Sequence, residues 1–246
     1  MDILFDLHTH TIASGHAYST LQENISAAKA AGLKAYGFSD HTQTLPGAPN
    51  NIWFDNFRVI PREIDGMLIL GGAEANILDF DGNIDLEERR CKKLDYIIAS
   101  MHPHCYTSGT AEVNTRALLK AMDNPYITII GHPDDDRYPL IYDILVPAAA
   151  EKGVLLELNN SSLKPKSARI NGLANARKML ICAKKYNARI VLGTDSHISF
   201  DIGRFDDAKK LIEEVDFPKE LIVNTSLDII KNRFSRKQDT DTDTDL

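Results

Sequence analysis

The stretch DLHTHTIASGH, residues 6–16, decides how this sequence is read, because it puts three of the chain's eight histidines within eleven residues. It grows out of a short apolar run that we expect as a strand over residues 4–8. Residues two apart on an extended strand point to the same side, so His8 and His10 face one point while Thr9 faces away. His16 falls further on, in the loop that follows.

Working outward, the same arrangement repeats. Short apolar runs alternate with longer segments of helical period, the pattern of βα units around a mainly parallel sheet. Strands are expected at 4–8, 35–39, 67–71, 96–100, 128–131, 154–158 and 189–193, and helices at 20–31, 86–93, 112–123, 139–152, 173–186 and 205–214. Thr20 with Glu23 makes a capping box at the start of the first helix, and Gly32 supplies its stop. Seven strands with intervening helices make an α/β fold, a closed or nearly closed barrel. Residues 42–62, with three prolines and the only tryptophan, Trp53, show no period and are expected as a loop over one face. The ending DTDTDTDL belongs to an acidic low-complexity tail over 235–246, behind a single domain over 1–234. DFDGNIDLEE at 79–88 resembles a calcium loop, but its glycine and glutamates fall at the wrong positions.

Ligand-type residues sit where the strands finish. His8 and His10 end the first, with His16 beyond; Asp40 and His41 end the second; Glu74 follows the third in GGAEAN. His102 and His104 follow the fourth, His132 ends the fifth, Asn159 and Asn160 the sixth, and Asp195 with His197 the seventh in GTDSH. The C-terminal rim of an α/β barrel is where separate strands bring side chains together. One histidine at a strand end is ordinary; all eight, joined by Glu74 and Asp195, point to a metal centre. Nine candidate ligands, His8, His10, His16, His41, Glu74, His102, His132, Asp195 and His197, exceed one tetrahedral zinc and suit two or three ions, with a carboxylate such as Glu74 shared. Imidazole and carboxylate suit zinc (Zn2+), manganese (Mn2+) or iron (Fe2+).

Composition narrows the function classes. With 43% hydrophobic and 26% charged residues the chain is an ordinary globular protein, and its net charge of −7 offers no general attraction to nucleic acid or anionic membrane. No apolar run reaches the ~18 residues of a membrane span. The scattered Cys91, Cys105 and Cys182 form neither a disulfide framework nor a CxxC zinc pair, which suits a reducing cytoplasm.

Taken in order, DLHTHTIASGH, SDH, the glutamate of GAEAN, the fourth-strand histidine, GHP and GTDSH resemble the polymerase and histidinol phosphatase (PHP) family, from the first strand to about Phe234. Within it, SDHTQTLPGAPNN, IPREIDG, LELNNSS and VDFP are similar to the small YcdX-type phosphatases. The resemblance implies a distorted TIM-like (β/α)7 barrel with a trinuclear zinc site that hydrolyses phosphoesters. By matching motif, His8, His10, Glu74 and Asp195 would hold one ion, Glu74, His102 and His132 a second, and His16, His41 and His197 a third. The segments MHPHCYTSG and GHPDDDRYPL depart from the pattern, at the pocket rim, where they bear on substrate choice.

The chemistry expected is hydrolysis of a small phosphate monoester by a metal-activated hydroxide. Asp40 is a candidate to orient an imidazole, Arg137 and Arg204 to grip phosphate, and His104 to protonate the leaving oxygen. Two other readings compete: a metal-dependent amidohydrolase, whose bridging lysine no strand end offers, and a non-catalytic metal-binding barrel. Long nucleic acid is disfavoured as substrate by the acidic balance.

Overall fold

Strand runs rich in Ile, Leu and Val with almost no alternation should be buried on both faces, as parallel barrel strands are. The computed structural model of the chain describes residues 1–234 and bears this out; the tail expected over 235–246 lies outside the described residues. In chain order the elements are β1 (Phe5–Asp6), α1 (Leu21–Ala30), β2 (Ala35–Phe38), α2 (Ile52–Asp55), β3 (Glu63–Ile64), β4 (Met67–Asn76), α3 (Glu88–Cys91), β5 (Tyr96–Ser100), α4 (Ala111–Ala121), β6 (Ile129–Ile130), α5 (Tyr142–Lys152), β7 (Leu155–Asn159), α6 (Gly172–Lys185), β8 (Ile190–Gly193), α7 (Asp206–Glu214) and α8 (Asp228–Arg233). The order β1-β2-β4-β5-β6-β7-β8 is parallel throughout, giving an α/β fold, a distorted (β/α)7 barrel.

Three expectations need correction. The third parallel strand does not stop at residue 71 but runs on to Asn76, so Glu74 lies within β4 and pairs with Ile98 of β5. An eighth strand, β3, folds back antiparallel on β4 through Asp65 and Gly66, both at positive φ, the backbone of a two-residue hairpin turn. The segment 42–62 is not structureless, since it carries α2 and a 3-10 turn at Phe57–Val59, whose Phe54 and Phe57 are buried. The first helix starts as expected, with Thr20 and Glu23 exchanging both capping-box bonds.

Two apolar clusters hold the barrel. One lies between strands and helices; the other fills the interior with Phe5, Leu7, Leu70, Tyr96, Ile98, Ile129, Leu155 and Val191. The Tyr96 ring crosses the interior so closely that a Cβ at Gly72 would come within 2.4 Å of it. Ile229, Ile230 and Phe234, in and just after α8, close the bottom, with Phe234 edge-on to Tyr96 at 6.0 Å.

The barrel closes without a continuous β1–β8 ladder. Near the top, Asp195 N–H donates to the His8 carbonyl at 2.8 Å and His10 N–H to the Ser196 carbonyl at 2.8 Å. Lower down, the Asn224 side chain takes the place of a strand: its amide donates to the Phe5 and Leu192 carbonyls and its oxygen accepts from Leu192 N–H at 2.7 Å. The open mouth this leaves at the strands' C-terminal ends is where the histidines gather.

Candidate metal centre

Glu74 stands at the middle of the rim, fully buried. Its Oε1 lies 3.3 Å from His8 Nε2, 3.2 Å from His102 Nε2 and 2.8 Å from His132 Nε2. Its Oε2 lies 3.4 Å from His10 Nε2 and 2.8 Å from His41 Nδ1. Asp195 Oδ1 faces the same point, 3.6 Å from His8 Nε2 and 3.3 Å from His10 Nε2. Two apart on extended backbone, His8 and His10 reach the same pair of carboxylates, while Thr9 turns away to Tyr36 and the Gly37 carbonyl.

Asp195 and His132 hold left-handed backbone, with φ of 51° and 29°, unusual outside glycine. Each is pinned there by its own N–H: Asp195 donates to the His8 carbonyl, and His132 to Glu157 Oε2 at 2.7 Å. The bend at Asp195 sends His197 toward His16 instead. Their Nε2 atoms are 2.9 Å apart, while each Nδ1 donates to a backbone carbonyl, of Ser14 and of Asp195. Because a carbonyl only accepts, each neutral ring has its bare nitrogen facing the other.

Three more imidazoles are oriented the same way, by what their second nitrogen donates to. His8 Nδ1 donates to Glu157 Oε1 at 2.7 Å, and His102 Nδ1 to Asn76 Oδ1 at 2.7 Å. His10 Nδ1 donates to Ser14 Oγ, which in turn donates to Asp40 Oδ1 at 2.7 Å. Asp40 therefore reaches His10 through Ser14, not its neighbour His41, and is itself held by Thr11 N–H and Oγ.

Burial and neighbours set the charges. Burial lowers the His10 and His41 pKa values, the latter to about 4, with neighbouring histidines adding to the effect. For His8 burial acts the same way, but the Glu157, Glu74 and Asp195 carboxylates override it and hold its pKa well above the usual value. Burial opposes ionisation of Glu74 and Asp195, yet the facing histidines, and Arg169 at Asp195, hold both well below the carboxylate range. The result is two buried anions, with His10 and His41 held toward the neutral form and His8 toward the cationic one.

The donor set fits divalent cations. His8 Nε2, His10 Nε2, His41 Nδ1 and Glu74 Oε2 are buried with no hydrogen-bond partner; the 2.8 Å approach of His41 to Glu74 is out of line for one. Buried polar groups are rarely left so. Overlapping sets of three donors, His8–His10–Glu74, His8–His132–Asp195, His41–Glu74–His102 and His10–His41–His197, each lie within ion-binding reach of one another.

Above the cluster opens a cleft of about 360 Å³ bounded by His16, His41, Glu74, His102, Asp195 and His197, with Leu45 and Pro46 on one wall and Pro103, His104 and Arg169 on others. His104 is exposed at this rim. Arg137 and Arg204 are not among the residues bounding the cleft: Arg137 is ion-paired to Asp135, and Arg204 is exposed. The arginine that does face it is Arg169, whose guanidinium is bound to Asp195 Oδ2 at 2.6 Å. Sequence reasoning passed over Arg169, Glu157, Ser14 and Asn76. Glu157 alone left a trace, as the one charged residue inside the apolar run VLLEL.

Residues 6–236 match the PHP domain family. A probable phosphatase of Clostridium acetobutylicum is 50% identical over 92% of this chain and 91% of its own length. Another, from Clostridium novyi, is 47% identical over the same shares. Among solved structures, a histidinol phosphate phosphatase from Lactococcus lactis, complexed with zinc, L-histidinol and phosphate, matches 88% of this chain and 95% of its own, with a TM-score of 0.58 and 20% identity. That likeness speaks for the fold. The rim of histidines and the family match converge, and the chain belongs to the PHP domain family.

Proposed function

We propose that this chain is a metal-dependent phosphatase that hydrolyses small phosphate monoesters at a cluster of divalent ions, zinc foremost and three in number. The observation that carries the reading is the convergence of buried, partnerless imidazole and carboxylate atoms on Glu74. His8, His10, Glu74 and Asp195 would hold one ion, Glu74, His102 and His132 another, and His16, His41 and His197 the third. Such ions supply, when bound, a water acidified toward neutral pH and positive charge for the phosphoryl oxygens. The probable phosphatases among the relatives, and the zinc and phosphate of the Lactococcus lactis enzyme, support this choice.

The chain's own residues do the rest. Glu157 fixes the orientation of His8, and Asp40, through Ser14, that of His10, so that each turns its Nε2 toward Glu74 and Asp195. Arg169, anchored on Asp195, turns toward the cleft and takes the phosphate-gripping role expected of Arg137 or Arg204. His104, at the rim, would protonate the leaving oxygen. The cleft's size suits a small leaving group, and the net charge of −7 disfavours long nucleic acid. No helix among the described residues is long and apolar enough to cross a membrane, and the three cysteines are free, as a cytoplasmic enzyme's would be.

Elemental analysis and a phosphoester panel on one preparation test the proposal. Zinc bound in multiple equivalents together with monoester turnover is expected. Hydrolysis of amides or lactones but not phosphoesters would favour an amidohydrolase, and metal-loaded protein inert on the whole panel would sink the reading.

A further inference from the structure

The imidazoles of the rim differ in what stands behind and around them. His8 is backed by the Glu157 carboxylate and His10 by Asp40 through Ser14. Both rings are almost wholly buried and face two carboxylates, Glu74 and Asp195. His16 Nδ1 donates to the Ser14 carbonyl and His197 Nδ1 to the Asp195 carbonyl; the Asp195 carboxylate, which already faces His8 and His10, lies 3.6 Å from His197 Nδ1. His16 is exposed, the His197 side chain is 30% exposed, and the station they form with His41, whose Nδ1 lies 2.8 Å from Glu74 Oε2, has no carboxylate of its own.

A carboxylate behind an imidazole raises its basicity and fixes its orientation, and a neutral carbonyl does so less. Anionic donors also offset the charge of an arriving cation, and three neutral rings do not. The outer station must further accept its cation beside the inner ones, since the His197 ring lies 4.3 Å from that of His10, and like charges at such range repel. What the outer station lacks is a carboxylate that it does not share with the inner ions. A phosphate in the cleft, which borders His16, His41 and His197 as well as Arg169, supplies that unshared anion.

We infer that His16, His41 and His197 form a loose outer station that holds its divalent cation tightly only together with phosphate, whereas the buried donors around Glu74 and Asp195 hold theirs alone. This rests on the metal-dependent phosphatase reading above. By linkage, phosphate tightens the outer ion by the same factor as the outer ion tightens phosphate. The resting protein would therefore carry an incomplete cluster, completed by the substrate it acts on or by the phosphate it releases.

The test is a zinc titration of the full chain in chelator-buffered free zinc, with and without inorganic phosphate, read by elemental analysis of the protein after desalting in the same buffer. The last equivalent is expected to load at free zinc on the order of tenfold to a hundredfold lower when phosphate is present, with the earlier equivalents unmoved. His16→Gln and His197→Gln should each lose that last equivalent and its phosphate response while keeping the others and the wild-type circular dichroism. If all equivalents load together at one free zinc concentration regardless of phosphate, or if either variant strips the inner ions, the loose station is wrong. In that case continued turnover of phosphoesters would leave the phosphatase reading standing; a protein that takes up no zinc at all would bring down both.

Discussion

At the open mouth of the barrel, His8 Nε2, His10 Nε2 and Glu74 Oε2 are buried without hydrogen-bond partners, and His132 and Asp195 sit in left-handed backbone. At the closed end, Asn224 uses both its amide and its oxygen on the backbone of β1 and β8, and Phe234 fills the space beneath Tyr96. The contrast separates what the chain builds for ligand binding from what it builds for stability. Unsatisfied polar atoms and strained backbone cost free energy, and they are tolerated where the surrounding structure over-determines them.

If the division is real, each end can be broken alone. Glu74→Gln removes the one carboxylate that faces five histidines, and should lower kcat/KM about a thousandfold or more, ~4 kcal/mol in the barrier, with zinc content reduced and circular dichroism kept. Wild-type turnover in that variant would end the case for Glu74 as the shared ligand. The converse change, Phe234→Ala, should cost about 3–5 kcal/mol in urea unfolding while kcat and zinc per chain stay put. Turnover falling along with stability would mean the two ends are not separable.

Asp6 sharpens the comparison from the side of the seam. Burial raises its pKa to about 6, despite the bonds it accepts from Thr194 and Gly203. A carboxyl whose folded pKa exceeds its unfolded value of 3.8 favours the folded state at low pH, and loses that advantage as pH rises from about 4 through 6. Relative to Asp6→Asn, the wild type should therefore lose up to ~3 kcal/mol over that window, in unfolding of zinc-free protein. A gap that stays constant with pH would contradict the raised pKa. The smallest effect is expected of Glu157→Gln, which keeps a hydrogen-bond acceptor for His8 but removes its charge: zinc affinity falling about 10- to 100-fold, with little change in melting temperature. Unchanged affinity would mean that charge behind His8 does not matter.

Much of the rim was legible because strand ends in a barrel converge, so residue type and position along the chain stand in for position in space. That logic alone singles out His8, His10, Glu74, His102, His132 and Asp195, which the fold brings together at the rim. Arg169 escapes it, since it sits in a loop after β7 whose path follows from Asp134, Asp135 and Asp136 packing rather than from any period in LKPKSARIN. Ser14 was hidden for a similar reason: its role depends on Asp40, brought beside it by the neighbouring strand. The β3–β4 hairpin did leave a signal, Asp65-Gly66 just before the apolar run MLIL, which the proline-rich stretch before it obscured.

The seam at Asn224 also bears on how the chain comes off the ribosome. The side chain that joins the first strand to the last parallel one arrives 219 positions after Phe5, whose carbonyl it binds. Six of the seven parallel strands can be laid side by side as they emerge, each next to the one made before it, but the lower part of the seam cannot shut until this late asparagine is free of the exit tunnel. Until then Phe5 and Leu192 present unpaired backbone edges, and the nascent protein is an open sheet that must be kept from its neighbours.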